Sequence, residues 1–409
     1  MIKKFLILII FFCFIFFSVE VNNKIKKKYI RGTYLKFFSK ADFKKLLFKK
    51  KDWMKNQIKS DLQFYKSSPI TFNKLDKTYQ AILQNTNEYK GNFVRYRILN
   101  NKIYLFLPEN KFIRRQFVFE KALRTLSKII TLPNIDIIYS DEDGTPLEKH
   151  DKNFYITLNE IDQAPIFSRA KKTRAKHIIL IPDYNALSRH WKNYIPYILD
   201  QSKIYSWEQK IPIAIWRGAD RKKERVDLCQ MSLNFPFMID AGFSLGKEDH
   251  PQIAHLIKNE ISISEHLRYK YQLVLDGYMC TYPGYQWRLL SNSLAFKIGD
   301  EEMQWFYNAL KPYEHYIPIK LDLSNLCEQI EWAKNHDEEC KKISENATDF
   351  VLKNLQYENV YVYLYLLLKE YETVQQFSKK DIMEDLKNAK KWVCIQNRKK
   401  AKKQFKEFI

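Results

Sequence analysis

The sequence predicts an α/β protein of two Rossmann-like domains facing a cleft, with an apolar segment before them and a basic helix after them. Three observations carry this. The chain has 409 residues, long for one hydrophobic core, and 45% of them are hydrophobic, enough to fill two. Short apolar runs alternate with helical patterns, which implies parallel sheets covered by helices. The alternation comes in two series that divide near residue 205.

In the first series, residues 102–107 (KIYLFL), 135–139 (IDIIY), 154–158 (FYITL) and 177–181 (HIILI) read as strands. Residues 110–130 read as a helix. The second series opens at 211–216 (IPIAIW) and continues at 237–240, 271–275, 293–298 and 316–320. Residues 337–371 read as closing helices, with 360–368 too apolar to face water. The expected organisation is therefore a leading segment over 1–31, an N-terminal domain over 32–205, a C-terminal domain over 206–372 and a tail over 373–409.

The ends of the chain suggest a membrane. Residues 5–19 (FLILIIFFCFIFFSV) carry no charge. As a helix they reach roughly 22 Å, short of a hydrocarbon core of roughly 30 Å. Lys3 and Lys4 precede the run, as in a signal peptide, but no small-x-small cleavage site follows. Lys24, Lys26, Lys27, Lys28 and Arg31 follow it. More positive charge after the run than before it places the body at the cytoplasmic face of the inner membrane. The alternative is a cleaved signal and a secreted or luminal protein. In the tail, Ile382, Leu386, Ala389 and Val393 recur at helical spacing, joined by Trp392, Phe405 and Phe408. Such a helix suits an anionic membrane surface or docks on the body by its apolar stripe. The formal net charge of +22 favours polyanions of several kinds. No recognised nucleic-acid module accompanies it, so no specific nucleic acid is expected.

Cysteine usage is sparse. Cys13, Cys229, Cys280, Cys327, Cys340 and Cys394 form no CxxC pair and meet no His at zinc-ligand spacing. Neither GxGxxG nor a Walker A sequence occurs.

Two stretches carry chemistry. In the first, a strand ends at Trp216-Arg217-Gly218, and a helix with Arg225 follows. Carboxyl ends of strands face the ligand crevice in open α/β sheets. A planar guanidinium there, a glycine allowing close approach and a helix N-terminus suit a diphosphate. The structural alternative pairs Arg217 with a carboxylate. In the second, residues 265–297, a buried strand runs into Asp276-Gly277, then a loop with Tyr282 and Gly284, a short helix with Trp287 and Arg288, and Ser291-Asn292-Ser293. This stretch can wrap a nucleoside and its phosphates. The alternative makes Trp287 core and Arg288 a solvated cation.

These motifs resemble glycosyltransferase family 90. The likeness is carried by Trp216-Arg217-Gly218, Tyr269-Lys-Tyr-x-Leu-x-Leu-Asp-Gly277, Trp287-Arg-Leu-Leu-Ser-Asn-Ser293, Trp305-Phe-Tyr307, Leu310-Lys-Pro-Tyr-Glu-His-Tyr316 and Asp322-Leu-Ser-Asn325. It spans about residues 134–371. The family includes bacterial lipopolysaccharide-core enzymes and eukaryotic protein O-glucosyltransferases. The resemblance implies a GT-B fold, no metal and no cofactor, and a nucleotide-sugar donor, taken as UDP-linked, held by the C-terminal domain. Arg217, Gly218, Arg225, Tyr282, Arg288, Ser291, Asn292 and Ser293 fall on its donor-binding segments. Asp143 falls on its catalytic base, with Asp141 as the alternative. Ser168, Asp183 and Tyr184 fall on its acceptor side. Asp141 and Asp143 also spell DxD, a metal signature of the other main glycosyltransferase fold; the two-series layout and the arginine motifs favour GT-B.

The expected function is hexose transfer to a hydroxyl of lipopolysaccharide or a related surface glycan, with a glycolipid acceptor. The sequence lacks the disulfide-type cysteines and retention signal of the eukaryotic members, so a protein acceptor stands second. A non-enzymatic basic protein binding membrane or nucleic acid is the rival from another class.

Overall fold

The computed structural model describes residues 39–49, 51–85, 93–108, 117–142, 158–245, 251–299, 301–388 and 392–396. The expected segment over 1–31, Asp143, most of the 154–158 run, Phe405 and Phe408 lie outside these residues.

The N-terminal half opens with three helices: α1 (Lys40–Phe48), α2 (Asp52–Ser67) and α3 (Phe72–Asn85). Ser39 caps α1: its Oγ accepts from the Asp42 amide at 3.0 Å, and the Asp42 carboxylate accepts from the Ser39 amide at 3.2 Å. Met54, Ile58, Leu62 and Tyr65 repeat at helical spacing on α2 and form its buried face. Strands β1 (Phe93–Leu99) and β2 (Lys102–Phe106) form an antiparallel hairpin. Its two-residue turn is Asn100-Asn101, with φ of 50° and 62°. Asparagine tolerates this left-handed region, which two-residue hairpins require. Helix α4 (Phe117–Ile129) leads into β3 (Ile135–Ser140), β4 (Ile166–Ser168), β5 (Lys171–Lys172), β6 (Ile178–Leu180) and helix α5 (Arg189–Ser202). The strands β3, β4 and β6 are parallel, while β1 lies antiparallel to β3. This half is therefore a mixed sheet and not the all-parallel Rossmann sheet expected.

The C-terminal half runs β7 (Ile211–Ala219), α6 (Lys223–Asn234), β8 (Ile239–Leu245), α7 (Ile263–His266), β9 (Tyr269–Val274), α8 (Gly284–Leu289), β10 (Leu294–Ile298), β11 (Glu302–Met303) and β12 (Ile317–Ile319). Five of these strands form one sheet in the order β8-β7-β9-β10-β12. Every pairing in it is parallel. This is the doubly wound order with its switch point between β7 and β9, where ligands bind beyond the carboxyl ends. Strand β11 pairs with β5 and so joins the two halves.

Helices α9 (Leu326–Asn335) and α10 (Asp337–Asn354) follow. The chain then crosses back. Helix α11 (Tyr357–Glu372) packs on the N-terminal half. Its tyrosines donate to the carbonyls of Leu187, Leu180 and Asp136 at 3.1, 3.2 and 2.9 Å, from Tyr361, Tyr363 and Tyr371 in turn. The expected C-terminal domain over 206–372 thus gives up α11 to the other half. An apolar helix covers whichever sheet leaves a bare face, and sequence order does not say which.

The tail also departs from expectation. Helix α12 (Lys379–Asn388) ends before Val393, which lies in β13 (Trp392–Cys394). Strand β13 adds to β2 at the edge of the N-terminal sheet. Ile382 and Val393 are both buried, so this part of the tail is docked on the body. A continuous amphipathic helix through Val393 is corrected on that ground. Among the described residues no helix is long and apolar enough to cross a membrane, and the five described cysteines are free thiols.

The sequence reading missed β1 because it carries Arg95 and Arg97, both buried. The charges are met by Asp136 on β3. Arg95 donates to its two oxygens at 2.8 and 2.9 Å, and Arg97 donates to Oδ2 at 2.9 and 2.5 Å. Asp76 and Asp385 engage the same guanidiniums, and the Trp392 ring lies 4.1 Å from Arg97 Cζ. Burial alone would raise the Asp136 carboxyl; the two guanidiniums outweigh it and hold the group below its ordinary value. A carboxylate with a depressed folded pKa stabilises above its unfolded pKa and loses that contribution as pH falls through the folded value. Asp136→Asn should therefore destabilise the protein by about 3–5 kcal/mol, and acid should narrow the gap to wild type. Urea unfolding at neutral and low pH measures this, and a loss within experimental error at neutral pH would contradict it.

Candidate functional site

Parallel strands deliver side chains to their carboxyl ends, and both halves use this. In the N-terminal half, Asp141 follows β3, Arg169 follows β4, and Asp183 and Tyr184 follow β6. Arg169 Nη2 lies 2.6 Å from Asp141 Oδ1. Its Cζ stands 5.0 Å from the Tyr184 ring centroid and 5.7 Å from that of Tyr282 in the other half. The Tyr139 hydroxyl also donates to Asp141, at 3.2 Å. Asp183 is buried, and burial pushes its carboxyl up despite the Asn185 and Ala186 amides that donate to it. Ser168 is buried at the end of β4, where its carbonyl accepts from the Ile181 amide at 2.9 Å.

In the C-terminal half, Arg225 spans the switch point. It donates to the Ala219 carbonyl at the end of β7 at 2.7 Å, and beyond β9 to Leu275 at 3.0 Å and Asp276 at 2.9 Å. A side chain on Gly277 would crowd it, with a Cβ at 3.2 Å from Arg225 Nη2. Arg288 lies on α8, curled back so that Nη1 donates to the Gly284 carbonyl at 3.1 Å. Its Nε is buried without a partner. Among the described residues neither Arg225 nor Arg288 pairs with a carboxylate. Burial pushes the Arg288 guanidinium down to about 9, and Arg225 pushes the same way. Burial likewise brings Arg225 down to about 10. A buried Arg288 and a partly buried Arg225, neither in a salt bridge among the described residues, are unfavourable alone, and an anionic ligand relieves both.

The loop between β9 and α8 is rigidly held. Asp276 Oδ1 accepts from the Thr281 amide and hydroxyl, both at 2.8 Å. Its Oδ2 meets Lys297 Nζ at 2.7 Å. A Cβ on Gly284 would fall 2.3 Å from Thr281 Cγ2, so only glycine fits there. The half-buried Tyr282 lies in this loop.

Other expected donor residues are placed elsewhere. Arg217 takes the structural alternative: it grips both Asp240 oxygens at 3.0 Å and donates to the Trp216 and Asp240 carbonyls. Gly218 is glycine because the Trp216 ring fills its side-chain space, at 2.7 Å from a built Cβ. Ser291, Asn292 and Ser293 precede β10 and so sit at the amino edge of the parallel sheet, opposite the crevice. The Ser293 hydroxyl donates to the Tyr269 carbonyl at 2.9 Å and accepts from the buried Lys210 at 2.9 Å. Ser291 donates to the Arg288 carbonyl at 2.5 Å. Asn292 has φ of 51°, a turn conformation in which asparagine is favoured. Sequence reasoning missed Arg169 and Gln286. Arg169 was within reach, since a cation directly after the short apolar run at Ser168 marks a strand end.

Strand ends from both halves thus converge on one region, with buried guanidiniums on one side and carboxylates on the other, as in α/β proteins that hold an anionic ligand. Residues 52–408 match the family described as Glycosyl transferase family 90, and the chain belongs to that family. It is 29% identical to Protein O-glucosyltransferase 2 of Danio rerio over 328 residues, covering 78% of this chain and 62% of the relative. It is 29% identical to Protein O-glucosyltransferase 3 of Homo sapiens over 322 residues, covering 76% and 61%. The mouse form of that protein (Mus musculus) is 31% identical over 292 residues, covering 69% and 56%. The chain therefore spans only about three fifths of the length of these relatives.

Arg217 and Arg288 should respond in opposite ways to replacement. Arg217→Met breaks a paired contact and should lower unfolding stability by about 1–3 kcal/mol. Arg288→Met removes an uncompensated buried charge, so stability should hold or rise while affinity for UDP falls about tenfold or more. Chemical unfolding and calorimetric titration of both variants decide it; a destabilised Arg288→Met with unchanged UDP affinity would refute the assignment.

Proposed function

We propose that the chain is a metal-independent glycosyltransferase of GT-B architecture that moves a hexose from a UDP-linked donor to a hydroxyl acceptor. The observation that carries this is the pair Arg225 and Arg288, partly buried and buried in turn at the switch point, with no carboxylate in a salt bridge to either among the described residues. As the glycosidic bond to the diphosphate breaks, negative charge grows on the leaving group. Preorganised guanidiniums stabilise that charge without having to reorganise. The loop through Tyr282 and Gly284 would lie along the nucleotide.

The base is a carboxylate beyond β3. Asp141 is held by Arg169 and Tyr139, so an acceptor hydroxyl must compete with both for its oxygens. Asp143, two residues on, is the base that the family resemblance points to, and it takes the acceptor proton as the sugar transfers. Ser168, Asp183 and Tyr184 belong to the acceptor side.

Two acceptor classes stand. The relatives' names support a protein hydroxyl receiving glucose. The apolar run at 5–19 and the basic charge support a glycolipid such as lipopolysaccharide, reached from the cytoplasmic face of an anionic membrane; a secreted or luminal site goes with the protein acceptor. Incubating the full chain with UDP-glucose and each acceptor class, followed by mass analysis, separates them. Label on neither, with any nucleotide sugar, would overturn the transferase reading.

Asp143→Asn should keep UDP binding and lose about 10²–10⁴-fold in kcat, while Asp141→Asn should lose less. Single-turnover assays under saturating donor test the pair, and a dead Asp141→Asn beside a near-normal Asp143→Asn would reverse the assignment.

A further inference from the structure

A buried chain of polar groups runs from the acceptor-side half into the donor loop. Asp183 is 1% exposed, Gln286 2% and Gln304 0%. The Asn185 and Ala186 amides fix the Asp183 carboxylate through Oδ1, at 2.8 and 3.2 Å. Its Oδ2 accepts from Gln286 Nε2 at 2.9 Å. Gln286 turns its NH₂ toward this oxygen, which serves as the acceptor. The same Nε2 lies 3.4 Å from Gln304 Oε1. Gln304 in turn directs its own NH₂ at the Thr281 carbonyl, 3.2 Å away, and at the Tyr307 hydroxyl, 3.0 Å away. Each amide is oriented by the one before it, and Asp183 sets the first.

The far end of this chain is the phosphate side of the site. Thr281 is clamped by Asp276 on its amide and by Gln304 on its carbonyl. It packs where any side chain on Gly284 would collide with it, and the Gly284 carbonyl is the acceptor that seats Arg288. Gln286 and Arg288 also share helix α8. The two residues leave that short helix on different sides: Gln286 faces the N-terminal half and Arg288 curls toward the loop.

We propose that Gln286 is a positioning residue: oriented by Asp183 of the opposite half, it holds the Thr281–Gly284 turn and Arg288 in the geometry that receives the donor diphosphate. It touches neither reactant. The proposal rests on the reading of Arg288 as a diphosphate ligand. Its consequence is that a change confined to the acceptor-side half, at Asp183, is felt in donor affinity.

The test uses the full-length protein and UDP. Gln286→Leu keeps the side-chain volume and removes the polarity; it should weaken UDP binding about tenfold, the ~1.4 kcal/mol that such a ratio represents. Asp183→Ala should weaken it similarly, and the two together should be no worse than either alone, because neighbours in one network are not additive. The exchange Asp183→Asn with Gln286→Glu restores one donor facing one acceptor at that contact, though not at Gln304, and should recover part of the affinity that Gln286→Glu alone loses. Full additivity, unaltered UDP affinity in Gln286→Leu, or an exchange no better than Gln286→Glu alone would each overturn the proposal. If wild type binds UDP but transfers no sugar, the functional reading falls while the coupling is still measured; if Arg288→Met alone leaves UDP affinity intact, the reading of Arg288 falls first.

Discussion

The gap between β7 and β9 is the constraint on which the site depends. At a switch point the chain leaves neighbouring strands in opposite directions, and the carbonyls there lose the partners that a continued sheet would supply. Arg225 takes three of them, on both strands. That use of a cation leaves its charge without a salt bridge; Asp276 nearby favours it, but burial outweighs this and lowers the group to about 10. Arg288 adds a second such charge, its pKa lowered first by burial and then by Arg225. Stability is given up locally, which is the pattern expected where binding needs a charge that folding does not.

The same economy operates with opposite sign in the N-terminal half. There Arg95 and Arg97 are buried with Asp136 between them, and Asp76, Asp385 and Trp392 close the cluster. Those charges are compensated in full and hold β1, β3, α3, α12 and β13 together. The two clusters differ in their partners: Arg95 and Arg97 meet carboxylates, whereas Arg225 and Arg288 meet carbonyls and the rings of Trp216 and Trp287. Arg217 falls with Arg95 and Arg97 by this criterion, through Asp240.

Much of this layout was legible in the sequence. The second series of strands fell close to its observed positions because the middle of β7 and most of β9 and β10 are buried and rich in apolar and aromatic residues. The family resemblance pointed to Asp141 and Asp183, which follow β3 and β6, and the helix expected after Arg217-Gly218 is α6, which carries Arg225. What stayed hidden depended on partners distant in the chain. Strand β1 reads as charged until Asp136, some forty residues on, is placed beside it. Helix α11 reads as part of the half it follows, although its tyrosines bond to the other. Ser291–Ser293 fall on the donor segment that the family resemblance implies; only the direction of β10 shows that they precede it at the amino edge of the sheet. Gln286 carries no sequence signal at all, since an uncharged amide is informative only once its neighbours are known.

On this proposal the family 90 protein holds a nucleoside diphosphate chiefly through two guanidiniums that lack a salt bridge among the described residues, Arg225 and Arg288. Comparing UDP with uridine by isothermal titration of the purified full-length protein, without divalent metal, tests it most directly. The account predicts that UDP binds about a hundredfold or more tighter than uridine, since two charge-assisted contacts contribute roughly 1.5–3 kcal/mol each. Equal affinities for the two, or UDP binding that appears only when a divalent ion is added, would contradict it.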